Sequence, residues 1–256
     1  MGDILARRES GTLIITISAP ERLNAWTRAM RADLAAALTD AAADPDVSAV
    51  VITGDGSAFC AGQDFNEVVT WGSDTEWISE IHDLYRRVLT SPKPSVAAVN
   101  GVAAGSGLQF ALLCDYRVAS RDARMGQTEV RWGMASVTGT WLLEEVVGPL
   151  RARTLALSAE LLPADRLLAE GIVDAVAEPD RVLDAALAQA SLLASYPAAS
   201  FAATKQWCYE RLRPRLDQAF ADAHVLHHEV FAAGVSRAGA ERFLARHESR
   251  TASPTK

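Results

Sequence analysis

Two rhythms of apolar residues alternate along the first two-thirds of the chain. Residues 4–7, 12–18, 47–53 and 96–99 are short runs rich in Val, Ile, Leu, Thr and Ala, bounded by turn residues, and this pattern predicts strands. The first two flank Ser10-Gly11 and form a hairpin, closed by Pro20 and a loop through Asn24 and Ala25. The run over 47–53 lacks polar alternation, as expected of a strand buried on both faces. Between the runs the apolar period lengthens to that of a helix. Met30, Leu34, Ala37 and Leu38 follow Thr27, a capping residue, and a second helix spans 74–89, ended by Pro92 and Pro94. After residues 116–119 and 124–127, which read as short strands, the chain from Gly139 onward is mostly helical, with breaks expected at Pro163, Pro179, Pro197 and Pro214. The change of character falls between Gly148 and Pro163. The expected organisation is an α/β core over 1–195 followed by a helical region over 196–256.

Residues 95–115 stand at the centre of this pattern. An apolar strand runs into Gly101, Gly105 and Gly107, and an apolar helix starts near Ser106. Glycines allow sharp turns and close backbone approach. Strand, glycine turn and helix together aim unpaired N–H groups at an anion or a developing oxyanion. A dinucleotide-binding turn would follow the first strand and, in short-chain dehydrogenases, accompany Tyr-x-x-x-Lys; no tyrosine here has a lysine four residues on. Ala104 and Leu108 replace the glycines of a G-x-S-x-G nucleophile turn, so Ser106 is not read as a nucleophile.

Composition narrows the setting. The chain has 256 residues, 49% hydrophobic and 22% charged, with a net charge of −7 that disfavours a general nucleic-acid-binding face. Cys60, Cys114 and Cys208 are widely spaced and odd in number, which predicts free thiols and a reducing compartment. No apolar run is long enough to span a bilayer and the first residues lack a signal-peptide core, so the expected location is the cytoplasm.

In order along the chain, Ala19-Pro20-Glu21-Arg22-Leu23-Asn24-Ala25, Ala58-Phe59-Cys60-Ala61-Gly62-Gln63-Asp64, Val99-Asn100-Gly101 with Gly105-Ser106-Gly107, Cys114-Asp115, Gly126-Gln127-Thr128-Glu129 and Ala240-Glu241-Arg242-Phe243-Leu244 together resemble the crotonase superfamily, the enoyl-CoA hydratase/isomerase fold. The resemblance implies a spiral of ββα units with a helical C-terminal trimerisation region, assembling as homotrimers or dimers of trimers. It implies an acyl-CoA thioester as substrate, with coenzyme A entering as part of that substrate and no separate cofactor or metal. The thioester oxygen would be held by the backbone N–H groups of Gln63 and Ser106. On the substrate side it places Arg22, Asn24, Ala25, Ala61, Gly62, Asp64, Phe65 and Gly105, with Lys205 offering a charge to the coenzyme A phosphates and Trp132 and Trp141 flanking the variable loop over 133–140.

Hydratases of this type use two glutamates. The second is present as Glu129, but the first position, three residues after Ser106, holds Gln109. An amide orients a water or a substrate group but accepts no proton as a base. Two-carboxylate hydration is therefore disfavoured. What stays open is enolate chemistry run by Glu129 alone, as double-bond isomerisation or as single-glutamate hydration or lyase chemistry, or a catalytically quiet acyl-CoA-binding protein. Plainer explanations stand beside these: Asp64 as cap of a helix starting at Phe65, and His224, His227 and His228 as a solvated helix face rather than a metal site.

Overall fold

A computed structural model describes residues 2–71 and 75–251. The hairpin is β1 (Asp3–Glu9) and β2 (Thr12–Ser18), antiparallel, with Ile4 opposite Ile17. Helix α1 (Arg28–Ala43) begins where the Thr27 side chain accepts the Met30 N–H. There follow β3 (Ala49–Gly54), β4 (Ala58–Cys60), the short α2 (Phe65–Val68) capped by Asp64, and α3 (Glu76–Thr90). Asp74, where the sequence pattern starts this helix, lies outside the described residues. Next come β5 (Ser95–Val99), β6 (Val102–Ala104), α4 (Ser106–Leu113), β7 (Tyr116–Ser120) and β8 (Arg124–Gly126). The remainder is α5 (Val137–Val147), α6 (Pro149–Ser158), β9 (Leu162–Pro163), α7 (Ala164–Ala169), β10 (Ala175–Ala177), α8 (Val182–Ala194), α9 (Ala198–Ala232) and α10 (Val235–Thr251).

The repeating unit is strand, strand, helix. The first strand of each unit joins a six-stranded sheet of order β1-β2-β3-β5-β7-β10, parallel beyond the hairpin, and the second joins a smaller sheet of order β4-β6-β8-β9. In the large sheet Ala49 and Val51 of β3 face α8, whose Ala186 and Ala190 sit one turn apart and let the helix come close. Val50 and Ile52 face the main core instead. Both faces of the strand are covered, which is why its apolar run does not alternate.

Four short strands escape the sequence pattern. β4 lies beyond the turn that follows β3, β6 within the stretch read as a glycine turn, and β9 and β10 within the stretch read as helical; each has three residues or fewer, too few to carry a period. Pro163, Pro179 and Pro197 stand at helix starts, but Pro214 lies inside the 35-residue α9 and does not end it. A proline removes one helical N–H and crowds the preceding turn. Here Leu216, Ala219, Phe220 and Ala223 bury the helix just beyond it, and tertiary packing overrides local propensity.

Every residue of α4 is buried, and the helix packs on β4, β6, α3 and α5. Its approach to β4 depends on Gly107, where a Cβ would fall 2.0 Å from the Cys60 carbonyl oxygen. Gly107→Ala should therefore destabilise the chain by about 1–3 kcal/mol, as overpacking of a filled core does, read as a lower urea midpoint at unchanged slope.

Candidate active site

The N-terminus of α4 faces the loop over residues 61–64. Trp26 fixes that loop from one side: its N–H donates to the Gly62 carbonyl at 2.9 Å and its carbonyl accepts the Asp64 N–H at 3.1 Å. The Trp26 indole also donates to the Ser106 hydroxyl at 3.1 Å. Between these anchors the Gln63 N–H has no acceptor among the described residues, nor does the Ser106 N–H at the first turn of α4. The two stand on adjoining backbone. Gly62, at φ +99°, is so close to the other strand that a Cβ there would lie 2.9 Å from the Ala104 oxygen and 3.5 Å from the Ser106 nitrogen. Two free N–H groups at a helix start are suited to an oxygen that gains negative charge.

Glu129 opens a 3-10 turn after β8, ended by Gly133 at φ +76°. Its carboxyl group packs on Gly105, itself at φ +53°, where a Cβ would come within 3.1 Å of Oε1. Oε1 accepts from Gln109 Nε2 at 3.0 Å, while Oε2 is shut off from solvent with no well-formed hydrogen bond among the described residues. Burial raises its pKa to about 7, although backbone N–H groups and the Gln109 amide favour the charged form. A carboxyl group poised there serves as base or acid near neutral pH.

Gln109 is not free to turn. Its Oε1 accepts from the Tyr85 hydroxyl at 2.7 Å and from Thr138 Oγ1 at 2.9 Å, which leaves Nε2 to donate to Glu129. Burial pushes the Tyr85 phenol well above its usual pKa, so it stays a donor.

These groups line one cavity, partly open to solvent, with room of about 60 Å³ for a water-sized sphere. Ala61, Gly62, Gln63, Phe65, Gly105, Ser106, Gln109, Glu129 and Trp132 line it, together with Trp77, Ile78, Ile81 and Tyr85 of α3 and Phe220, Ala223 and His227 of α9. Met134, Ala135, Ser136 and Thr138 of the variable loop complete it. The other residues singled out in the sequence are not among its lining. Buried Asn24 accepts the Ala19 N–H and donates to the carbonyls of Asp55 and Ala58, pegging the turn between β3 and β4, and Ala25 lies in the same loop. Arg22 is paired with Asp64 at 2.6 Å, and Asp64 caps α2 through the Asn66 N–H. Lys205 is drawn inward to Asp115 at 2.7 Å. Trp141 is buried beside a separate groove between α5 and α9.

Tyr85, Thr138 and Trp77 were not legible in the sequence. Tyr85 and Trp77 sit on the apolar stripe of α3, where an aromatic reads as core. The solvated-face reading of the three histidines needs correction. His228 is exposed, but His227 is 6% exposed among Trp77 and Phe231, and burial lowers its pKa to about 4. Among the described residues no three His, Cys, Asp or Glu side chains group as metal ligands, and no helix is long and apolar enough to cross a membrane.

Residues 7–252 match the family model described as enoyl-CoA hydratase/isomerase. The chain is 35% identical over 224 residues to a carboxymethylproline synthase of Pectobacterium carotovorum subsp. carotovorum, covering 86% of this chain and 90% of that protein. It is 35% identical over 210 residues to the 1,2-epoxyphenylacetyl-CoA isomerase of Escherichia coli strain K12, covering 79% and 80%. An enoyl-CoA hydratase structure from Mycobacterium avium subsp. paratuberculosis K-10 superposes with a TM-score of 0.86 at 32% identity, covering 95% of this chain and 96% of that one. The chain belongs to the enoyl-CoA hydratase/isomerase family and has the crotonase-type fold.

The raised pKa of Glu129 has a stability consequence. The folded chain holds this proton more tightly than the unfolded one, so stability present at acid pH is lost as pH rises from about 4.5 to about 7, by roughly 3 kcal/mol. Glu129→Gln lacks that slope. Denaturant titrations of the two proteins should coincide near pH 4.5 and separate at pH 8 in favour of the variant.

Proposed function

We propose that the chain is an acyl-CoA enzyme that forms a thioester enolate and moves one proton with Glu129. The observation that carries this reading is a single buried carboxyl group with a pKa near 7, beside an amide rather than a second carboxylate and next to two unpaired backbone N–H groups. In this reading the N–H groups of Gln63 and Ser106 hold the thioester oxygen. Each such donor contributes on the order of 3–4 kcal/mol to a developing oxyanion. Deprotonated Glu129 takes a proton α or γ to the carbonyl and returns it to the same carbon or to another. Gln109, locked by Tyr85 and Thr138, donates to the carboxylate and steadies it.

Double-bond isomerisation fits one carboxylate best, followed by hydration or lyase chemistry in which an amide orients the second reactant. Relatives named as an isomerase and as a synthase stand beside others named as hydratases, so their names support the family's range of reactions rather than one of them. Arg22, 27% exposed at its side chain beside the entrance loop, is the proposed contact for a coenzyme A phosphate, with Lys205 reached after release from Asp115. The substitution of the first glutamate by Gln109 also favours a second reading, an acyl-CoA binder that turns nothing over.

Deuterium exchange at the α-carbon of hexanoyl-CoA, followed by NMR, separates the two. Exchange is expected, rising with pH until Glu129 is deprotonated near 7, and Glu129→Gln should reduce it by about 10²–10⁴-fold. Tight binding with no exchange at any chain length would overturn the enzyme reading in favour of the binder.

A further inference from the structure

The lining of the cavity includes buried side-chain nitrogens with nothing to bind among the described residues. Trp77 is 8% exposed, and its indole Nε1 is out of solvent and without an acceptor among the described residues. An indole N–H can only donate. Gln63 presents a second such group. Arg31 Nη1 donates to the Gln63 Oε1 at 2.6 Å, which fixes the amide and leaves its Nε2, also buried, with no partner among the described residues. His227 meets Trp77 edge-on at 5.0 Å between ring centres, and its Nδ1 is buried and without a partner among the described residues as well. All three residues line the same cavity.

Buried polar atoms are ordinarily paired, and three orphans around one space call for an explanation beyond packing. A purely aliphatic acyl chain would leave every one of them unmet. In the reading above the acyl group occupies this cavity, beside Glu129 and the Gln63 and Ser106 N–H groups, so these atoms face that group.

We infer that the cavity is built for an acyl group bearing, besides its thioester carbonyl, a hydrogen-bond acceptor oxygen, carbonyl or carboxylate, received by Trp77 Nε1 and Gln63 Nε2 with His227 beside them. This subsite rests on the reading of the chain as an acyl-CoA protein and names the substrate class of that same cavity. The neutral imidazole of His227 adapts to either acceptor, because it carries one N–H and one lone pair.

The test compares binding and α-proton exchange for hexanoyl-CoA, 5-oxohexanoyl-CoA and adipoyl-CoA, and for the shorter pair butanoyl-CoA and succinyl-CoA. The intact protein should bind at least one oxygenated ligand about tenfold more tightly than its aliphatic counterpart, the usual discrimination from one satisfied buried donor. Whether the ketone or the carboxylate gains more identifies which oxygen the site takes. In Trp77→Phe, which keeps a ring and removes the N–H, and in His227→Phe, the ratio should fall to within about threefold; a ratio taken on one variant cancels any loss of folded protein. Equal binding of aliphatic and oxygenated ligands in both series, or a preference that survives both variants, would overturn the subsite. Preference without exchange would overturn the enolate reading while leaving the subsite in place, and exchange without preference would do the reverse.

Discussion

The Glu129 carboxyl group rests directly on the backbone of Gly105, and the candidate site is built around that contact. A Cβ at residue 105 would lie 3.1 Å from Oε1, so any side chain there would crowd the carboxyl group. With glycine there, the group is stripped of solvent, its pKa rises, and it stays beside the first turn of α4, where the Ser106 N–H stands free. One backbone position thus sets both the proton affinity of the base and its distance from the electrophilic donors. Desolvation of this kind costs stability in the folded state, as expected where charge is arranged for chemistry rather than for folding.

Gln109 explains why this site tolerates a single carboxyl group. Two buried carboxylates at 3.0 Å would repel and share one proton. An amide at the same place instead donates to Glu129, and the hydroxyls of Tyr85 and Thr138 fix which end of the amide faces it. The network runs from α3 through α4 to the start of α5. Local distortion of any of these helices would reach the carboxyl group through hydrogen bonds.

Much of this was legible in the chain. The alternation of apolar strands and helical stripes, the capping roles of Thr27 and Asp64, and the glycine turn before α4 follow from local rules. The spiral arrangement came from motif resemblance rather than from periodicity, because strands as short as β4 and β6 have no period to read. Gln109 and Glu129 stood out by position in the motifs. Their partners Tyr85, Thr138, Trp77 and His227 did not, because an apolar stripe or a helical histidine looks the same whether it faces core or cavity. Pro214 shows the opposite failure: a strong local signal silenced by the burial of the residues beyond it.

The large sheet ends in two unlike ways. On one side β10 offers only three residues, too few to template another strand. On the other, β1 is seven residues long and mostly exposed, a length at which an open row of N–H and C=O groups invites pairing with a second sheet. Asp3, Arg7, Arg8 and Glu9 lie along it, and Arg8 is tied back to Asp44 at the end of α1. Joining two such borders would strip these charges of water. The hairpin that closes the fold therefore also guards the chain against sheet-to-sheet aggregation.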